Sequence, residues 1–284
     1  GPYLREAHSA GVTGLVECST VGDGRNLAVL RHLAEVTPIH IVAPTGGVRE
    51  FHTPPSLRET SAQELAAQWA IEPTEGIEGS PVRAGFIKIA MSDDGPTALE
   101  MRNLKAAALA SREMGAAVAS HTTSGAIARR ELEFLAGMGF ELSRLVWVHA
   151  NLEPDTGLLL QAARAGSYVS LDAISAEWRS EDTLIGRVLD LIEAGCGDRI
   201  LLSQDGGWYD PAEPDGRPAG GIRGCAGLVE EFVPALRARG VTDDQIRLLT
   251  VVNPARALAL SEGWNTERPL PDEHRCEPAC RWAS

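Results

Sequence analysis

The feature that most constrains this chain is a repeating couplet: a short apolar run rich in Val, Ile and Leu, a polar or Gly-containing break, and an Ala/Leu/Glu/Arg-rich stretch with helical period. The apolar runs fall at Gly14 to Ser19, His40 to Thr45, Gly85 to Met91, Ala117 to Thr122, Leu145 to Ala150, Tyr168 to Asp172 and Ile200 to Gln204. Tyr3 to Ser9 precedes the first of them as a helical stretch. The others follow at Leu27 to Glu35, Ser61 to Ala70, Ala98 to Met114, Gly125 to Gly137, Thr156 to Ala165, Glu181 to Ala194 and Gly227 to Arg239. Runs that are apolar throughout mark strands covered on both faces, as parallel strands are when helices cross over between them. The chain is therefore α/β, either a doubly wound sheet or a (β/α)8 TIM barrel. A closed barrel has eight strands in about 250 residues. Seven runs are visible, so the barrel reading leaves the first strand absent, with its natural place before residue 1. No linker or repeat divides residues 1–260, which read as one domain. Residues 261–284, with Pro269, Pro271 and Pro278, read as a C-terminal tail.

Composition excludes several classes of function. The chain is 44% hydrophobic and 23% charged, which suits a globular core and not a disordered segment. Its net charge of -13 leaves no electrostatic basis for a sequence-independent grip on nucleic-acid phosphates or an anionic membrane surface. No apolar run approaches the roughly 18 to 20 residues of a membrane span, and the N-terminus lacks the layout of a signal peptide. A cytoplasmic protein is expected. Its 5 cysteines are an odd number scattered along the chain, unlike a disulfide framework. Cys276 and Cys280, with His274 nearby, read as solvated tail residues in the absence of a partner pair. Gly22-Asp-Gly-Arg25 lacks the Gly-Lys-Ser/Thr ending of a phosphate loop and reads as a tight turn whose Arg25 braces the barrel rim. Asn253-Pro254 reads as a helix start, with Asn as N-cap.

In α/β barrels the chemistry sits where the C-terminal ends of strands meet their loops, so polar residues there decide the reading. Lys88 interrupts the otherwise apolar strand Gly85-Phe-Ile-Lys-Ile-Ala-Met91, where a bare ammonium is costly unless paired or neutralised. A snorkelling stem or a buried ion pair would also account for it. His121, His149 and Asp205 each end a strand, and each alone could simply cap a turn. Together they place two imidazoles and a carboxylate at one rim, the ligand types that suit Zn²⁺, Mn²⁺, Fe²⁺ or Co²⁺.

Lys88, His121, His149 and Ser203-Gln-Asp205, in that order, resemble the phosphotriesterase family of the amidohydrolase superfamily. Three further segments share the likeness: Val16-Glu-Cys-Ser-Thr-Val-Gly-Asp-Gly-Arg25, Ile39-His-Ile-Val-Ala-Pro-Thr-Gly46 and Thr250-Val-Val-Asn-Pro-Ala-Arg256. The resemblance spans about residues 3 to 260. It implies an amidohydrolase-type barrel in which Lys88, carboxylated on its amine, bridges two divalent metal ions. Zinc is the first expectation, and manganese, cobalt or iron the alternatives. It further implies that His121 and His149 ligate one metal and that Asp205 ligates the other and handles a proton. Carboxylation accords with the physics, since it turns a costly buried cation into an anionic oxygen donor. A hydroxide held between the metals would then be the nucleophile.

Asp172, ending Tyr168-Val-Ser-Leu-Asp172, reads either as a turn cap or, by the likeness, as a catalytic group passing protons from Asp205 toward solvent. Gly206 to Gly224 is too long for a simple connector, and its Trp208 and Tyr209 read as walls of a substrate pocket or as residues that pack the loop. The sequence departs from the family in one respect: no His-X-His pair is present, the remaining histidines being His8, His32, His40, His52 and His274. Missing strand and missing ligands coincide, as they would in an N-terminally incomplete version of the enzyme. The expected function is metal-dependent hydrolysis of a lactone, carboxylic ester or phosphotriester, with a carbonyl ester or lactone first. The expected partner is that small molecule, and a homodimer is compatible with it. The alternative is a metal-deficient barrel that serves as a binding or scaffold protein. A doubly wound nucleotide-binding protein would need a phosphate loop that the chain lacks.

Overall fold

The computed structural model describes residues 1–176, 180–207 and 224–260. Seven strands form one sheet: β1 (Gly14–Val16), β2 (His40–Gly46), β3 (Ala84–Ala90), β4 (Val118–His121), β5 (Leu145–Val148), β6 (Tyr168–Leu171) and β7 (Ile200–Leu202). Their order in the sheet is their order in the chain, and every pairing is parallel. Helix α1 (Pro2–Ser9) precedes β1, and between the strands run α2 (Leu27–Val36), the single turn α3 (Pro55–Arg58), α4 (Ala62–Glu75), α5 (Ala98–Met114), α6 (Gly125–Gly137), α7 (Thr156–Arg164) and α8 (Glu181–Glu193). The sheet curls as an α/β barrel does. Among the described residues β1 pairs only with β2 and β7 only with β6, so the strands holding Val16 and Leu202 are the two edges. Among the described residues the sheet is therefore open between these two strands.

β1 and β7 are three residues each, shorter than the apolar runs that contain them. A strand with one neighbour has half the ladder to hold it. The last ladder bond runs from Glu17 N–H to Val42 O at 3.0 Å, after which a local turn follows in which Glu17 Oε1 accepts the Ser19 N–H at 2.9 Å. The central helices begin where the sequence supplies caps: Ser61 and Glu64 form a reciprocal capping box on α4, and Thr97 and Glu100 form one on α5. α5 ends at Gly115, whose φ of 63° is the left-handed conformation that a glycine takes without strain.

The region from Gly227 to Arg239 differs from the single helix expected. A π-helical turn (Leu228–Phe232) precedes α9 (Val233–Ala238). After α10 (Asp243–Arg247) a second π-helical turn (Leu248–Val252) precedes α11 (Asn253–Leu258). Each wide turn leads into a helix whose second residue is proline, Pro234 or Pro254, which offers no N–H to the preceding turn. Asn253 is accordingly not an N-cap. It is wholly buried, and its Nδ2 donates to Gly197 O and Ile200 O, both at 2.8 Å, tying α11 to the start of β7.

Two layers of apolar side chains follow from strand alternation. Ile87, Ile89, Val118, Leu145, Trp147 and Val169 point outward to the helices and join the main core with Leu104, Leu135 and Leu159. Phe86, Ala117, Ala119, Val146 and Tyr168 point inward and meet Ala257 of α11. Each large side chain fully buried in this way stabilises the fold by about 1.5–3 kcal/mol. The inner cluster floors the space above which the polar strand ends gather.

Candidate active site

Alternation from that floor carries Lys88, two residues beyond Phe86, onto the inner face, and likewise His121 beyond Ala119 and Asp172 beyond Tyr168. In register, Lys88 lies opposite Ala119, and His121 lies opposite Ala90 on one side and Val148 on the other. Gly46, with φ 122°, passes so close to β3 that a Cβ there would sit 2.0 Å from Lys88 O. The following Gly47 N–H donates to that same carbonyl at 3.0 Å.

Lys88 is buried, and its Nζ donates to Ile89 O at 2.8 Å. Burial pushes its pKa below the ordinary lysine range, against the raising influence of Cys18, Asp23, Asp172 and Asp205. The favoured form at neutral pH moves toward the free amine.

His149 breaks the alternation. By parity with Leu145 and Trp147 its side chain should face the helices, but its backbone is left-handed at φ 66° and ψ 26°. That twist brings its ring to 4.4 Å from the ring of His121, edge to face at 82°. Asp172 holds it there: Oδ2 accepts the His149 backbone N–H and Oδ1 meets His149 Nδ1, both at 2.8 Å. The carboxylate is itself fixed by Ser170 Oγ at 3.0 Å, and the Asp172 N–H donates to Asn151 Oδ1 at 2.8 Å. Burial pulls the His149 pKa down, but the Asp172 hydrogen bond and charge, with Asp205 adding to them, outweigh it and raise the pKa.

His121 moves the opposite way. Burial, then the neighbouring charges of Lys88, His149 and Arg49, push its pKa down to about 2, so it is a neutral imidazole. Its Nε2 lies 2.5 Å from Arg49 Nη2. Since a guanidinium only donates, that nitrogen accepts, and the Nδ1 side carries the proton. Asp205 stands at the end of β7, exposed and also left-handed at φ 45°. Its negative charge acts on both Lys88 and His149.

The donor set suits a divalent cation. His149 donates from Nδ1 to a carboxylate and so keeps Nε2 for a ligand, the usual arrangement behind a metal-binding imidazole. The His121 Nε2 lone pair already faces a cation, the Arg49 guanidinium. Lys88 offers a depressed amine. Among the described residues, no three His, Cys, Asp or Glu side chains converge closely enough to hold a cation by themselves. The other described histidines do not supply the missing pair: His8 and His32 lie on α1 and α2, His40 opens β2 at its far end, and His52 lies in a 3-10 turn. Trp208, Tyr209 and the tail residues His274, Cys276 and Cys280 lie outside the described residues.

Sequence reasoning passed over three residues that shape this rim. Arg49 is one. Glu100 is wholly buried and accepts from the N–H groups of Glu50, Ser92 and Thr97 at 3.1, 3.0 and 3.0 Å and from Ser92 Oγ at 2.6 Å. It thereby joins the loops after β2 and β3 to the start of α5. Its capping-box spacing from Thr97 was a legible signal, although the tertiary contacts were not. Glu131 of α6, also buried, accepts from the hydroxyls of Ser120 and Thr122, which flank His121. Arg25 meets its expectation, with Nη1 donating to Pro44 O at 2.8 Å and Nη2 to Glu78 at 2.9 Å.

No described helix is long and apolar enough to cross a membrane. The model of the phosphotriesterase family matches residues 3–258. The phosphotriesterase homology protein of Escherichia coli is 28% identical over 255 residues, which cover 89% of this chain and 86% of that protein. Its crystal structure, complexed with phosphate in the active site, superposes with a TM-score of 0.82, covering 91% of this chain and 88% of the other at 27% identity. An N-acetyltaurine hydrolase of Danio rerio is 28% identical, covering 88% of this chain and 74% of that protein. An aryldialkylphosphatase of Saccharolobus solfataricus is 26% identical, covering 89% and 82%.

Proposed function

The chain belongs to the phosphotriesterase family, and from that premise we propose that it is a metal-dependent hydrolase acting on a carbonyl ester or lactone. One observation carries the reading: a buried lysine held toward its neutral form stands on the same inner face as two imidazoles, one neutral and accepting, the other oriented by a carboxylate. A neutral amine adds carbon dioxide and releases a proton, giving a carbamate whose oxygens replace a costly cation with two anionic donors. Lys88 so carboxylated, His121, His149 and Asp205 are the residues that would hold two divalent cations, with zinc first and manganese, cobalt or iron as alternatives. Bound there, the metals supply a Lewis acid for the substrate carbonyl and a water acidified toward neutral pH.

The remaining roles belong to the chain itself. Asp205, exposed at its strand end, takes the proton of the attacking water and returns it to the leaving oxygen. Asp172 fixes the tautomer and direction of His149. On the same reading it passes protons from Asp205 toward solvent. Trp208 and Tyr209 complete the reading as walls of the substrate pocket. The relatives named as an aryldialkylphosphatase and an N-acetyltaurine hydrolase bring a phosphotriester and an amide onto the same panel of candidate substrates.

The test is turnover by protein reconstituted with metal and bicarbonate, assayed on lactones, aryl esters, amides and phosphotriesters. Asp205→Asn should lower kcat by about 10²-fold or more on whichever substrate is accepted. Retention of most of the activity removes the proton role from Asp205. Absence of turnover on the entire panel favours a metal-deficient binding protein.

A further inference from the structure

The hydrolytic reading leaves Arg49 without a role. Its backbone is fixed from several sides: the Arg49 carbonyl accepts from His52 N–H at 3.0 Å and Thr53 Oγ1 at 3.2 Å, and the neighbouring Glu50 N–H donates to Glu100 at 3.1 Å. From that base the side chain reaches across the strand ends. Nη2 lies 2.5 Å from His121 Nε2 and 3.1 Å from Asp93 Oδ1, and Asp93 is in turn held by Thr123 Oγ1. The side chain is 31% exposed. A guanidinium carries five N–H donors, and among the described residues Nε and Nη1 engage none of theirs in a hydrogen bond. A planar cationic fork is thus anchored beside His121 through Nη2, with Nε and Nη1 uncommitted among the described residues.

The contact with His121 is conditional. One nitrogen lone pair serves one cation at a time, so a His121 that ligates a metal releases the guanidinium. Asp93 still holds Nη2, and the donor released by His121 joins those of Nε and Nη1 that have no partner among the described residues. The surroundings are acidic, since Asp23, Asp172 and Asp205 all act on Lys88. Arg49, whose positive charge reaches His121, is a fixed cation that favours negative charge on an incoming molecule.

We propose that Arg49 determines specificity for an anionic group on the substrate: the molecule hydrolysed carries, beside the bond cleaved, a carboxylate, sulfonate or phosphate that the Arg49 fork binds. This rests on the hydrolytic reading in two respects, that a bond of the bound molecule is cleaved and that His121 serves a metal. A purely structural arginine would tie the loop after β2 to Asp93 and have no effect on substrate choice.

The test uses metal-loaded protein and matched pairs of aryl esters. One member of each pair ends in a carboxylate, sulfonate or phosphate monoester, and its twin ends in a neutral cap of equal length. Binding of acetate, methanesulfonate and inorganic phosphate is measured separately by titration calorimetry. At least one anionic member should exceed its twin in kcat/KM by about tenfold or more, with the gain carried by KM. Arg49→Gln should abolish that preference, and Arg49→Lys, which keeps the charge without the fork, should retain part of it. The matching free anion should bind Arg49→Gln more weakly by a similar factor, and comparison of the three anions identifies the group recognised. Absence of preference for every anionic member, a preference that survives in Arg49→Gln, or equal loss in Arg49→Lys overturns the proposal. So does anion affinity equal in parent and Arg49→Gln, which assigns the anion to the metals alone. Anion binding that depends on Arg49 without turnover of any ester leaves the anion site standing and removes the hydrolytic reading instead.

Discussion

An amine enclosed by a sheet and its helices is tolerated only if it is neutral, paired or chemically altered, and burial lowers the Lys88 pKa in the direction of the first condition. Lys88→Ala should therefore bind divalent metal at least about tenfold more weakly, as read by metal content after dialysis, and a small carboxylate such as propionate should restore part of it. Undiminished metal content would remove Lys88 from the ligand set. Glu131 supplies a second test at this scale. Burial raises its pKa to about 7, against the lowering effect of the Ser120 and Thr122 hydrogen bonds. The native state then keeps a proton that the unfolded chain has lost, so stability is full below the ordinary glutamate pKa and falls as pH rises toward about 7. The loss is on the order of 2–3 kcal/mol. Glu131→Gln should flatten that slope, seen as unfolding midpoints in denaturant that change less between pH 4.5 and about 7.5 than those of the parent.

Between elements, the carboxylate of Glu100 is the joint on which two rim loops depend. Glu100→Ala would strand the N–H groups of Glu50, Ser92 and Thr97 and remove a capping box. A loss of roughly 3–5 kcal/mol follows from several unsatisfied buried donors, measurable by chemical denaturation. A change under about 1 kcal/mol would mean that water replaces the carboxylate. Gly46 is the other joint. Its Cβ position falls on Lys88 O, and its φ is one that other residues rarely adopt. Gly46→Ala should lower the unfolding midpoint by more than an exposed Gly→Ala change elsewhere, and it should displace β2 at the point where β3 carries Lys88.

For the whole molecule, the sheet is strongest in its middle. β3, β4 and β5 each have two neighbours, whereas β1 and β7 each have one among the described residues and are three residues long. Amide hydrogen exchange should be slowest in β3 to β5 and fastest, within the sheet, at Gly14–Val16. Equal protection of β1 and β4 would show that the β1 edge is covered.

The α/β class, the seven strands and their parallel sense were legible in the sequence because apolar period and helix length are local properties. Lys88, His121 and Asp205 stood out for a related reason: each interrupts or ends an apolar run, and a polar group at a strand end is costly wherever the strand lies. The absence of a His-X-His pair from these residues was visible by simple inspection. Tertiary structure decided what depends on backbone conformation and on partners far apart in the chain. Alternation alone would have turned His149 away from the site, and only its left-handed backbone and Asp172 bring it to His121. Asn253 looked like a cap and proved to be a buried tie, because a π-helical turn runs straight into it. Arg49 gave no sign in the sequence, where an arginine in a loop resembles any solvated cation. Its meaning lies in contacts 44 and 72 residues away, a separation over which local pattern carries no information.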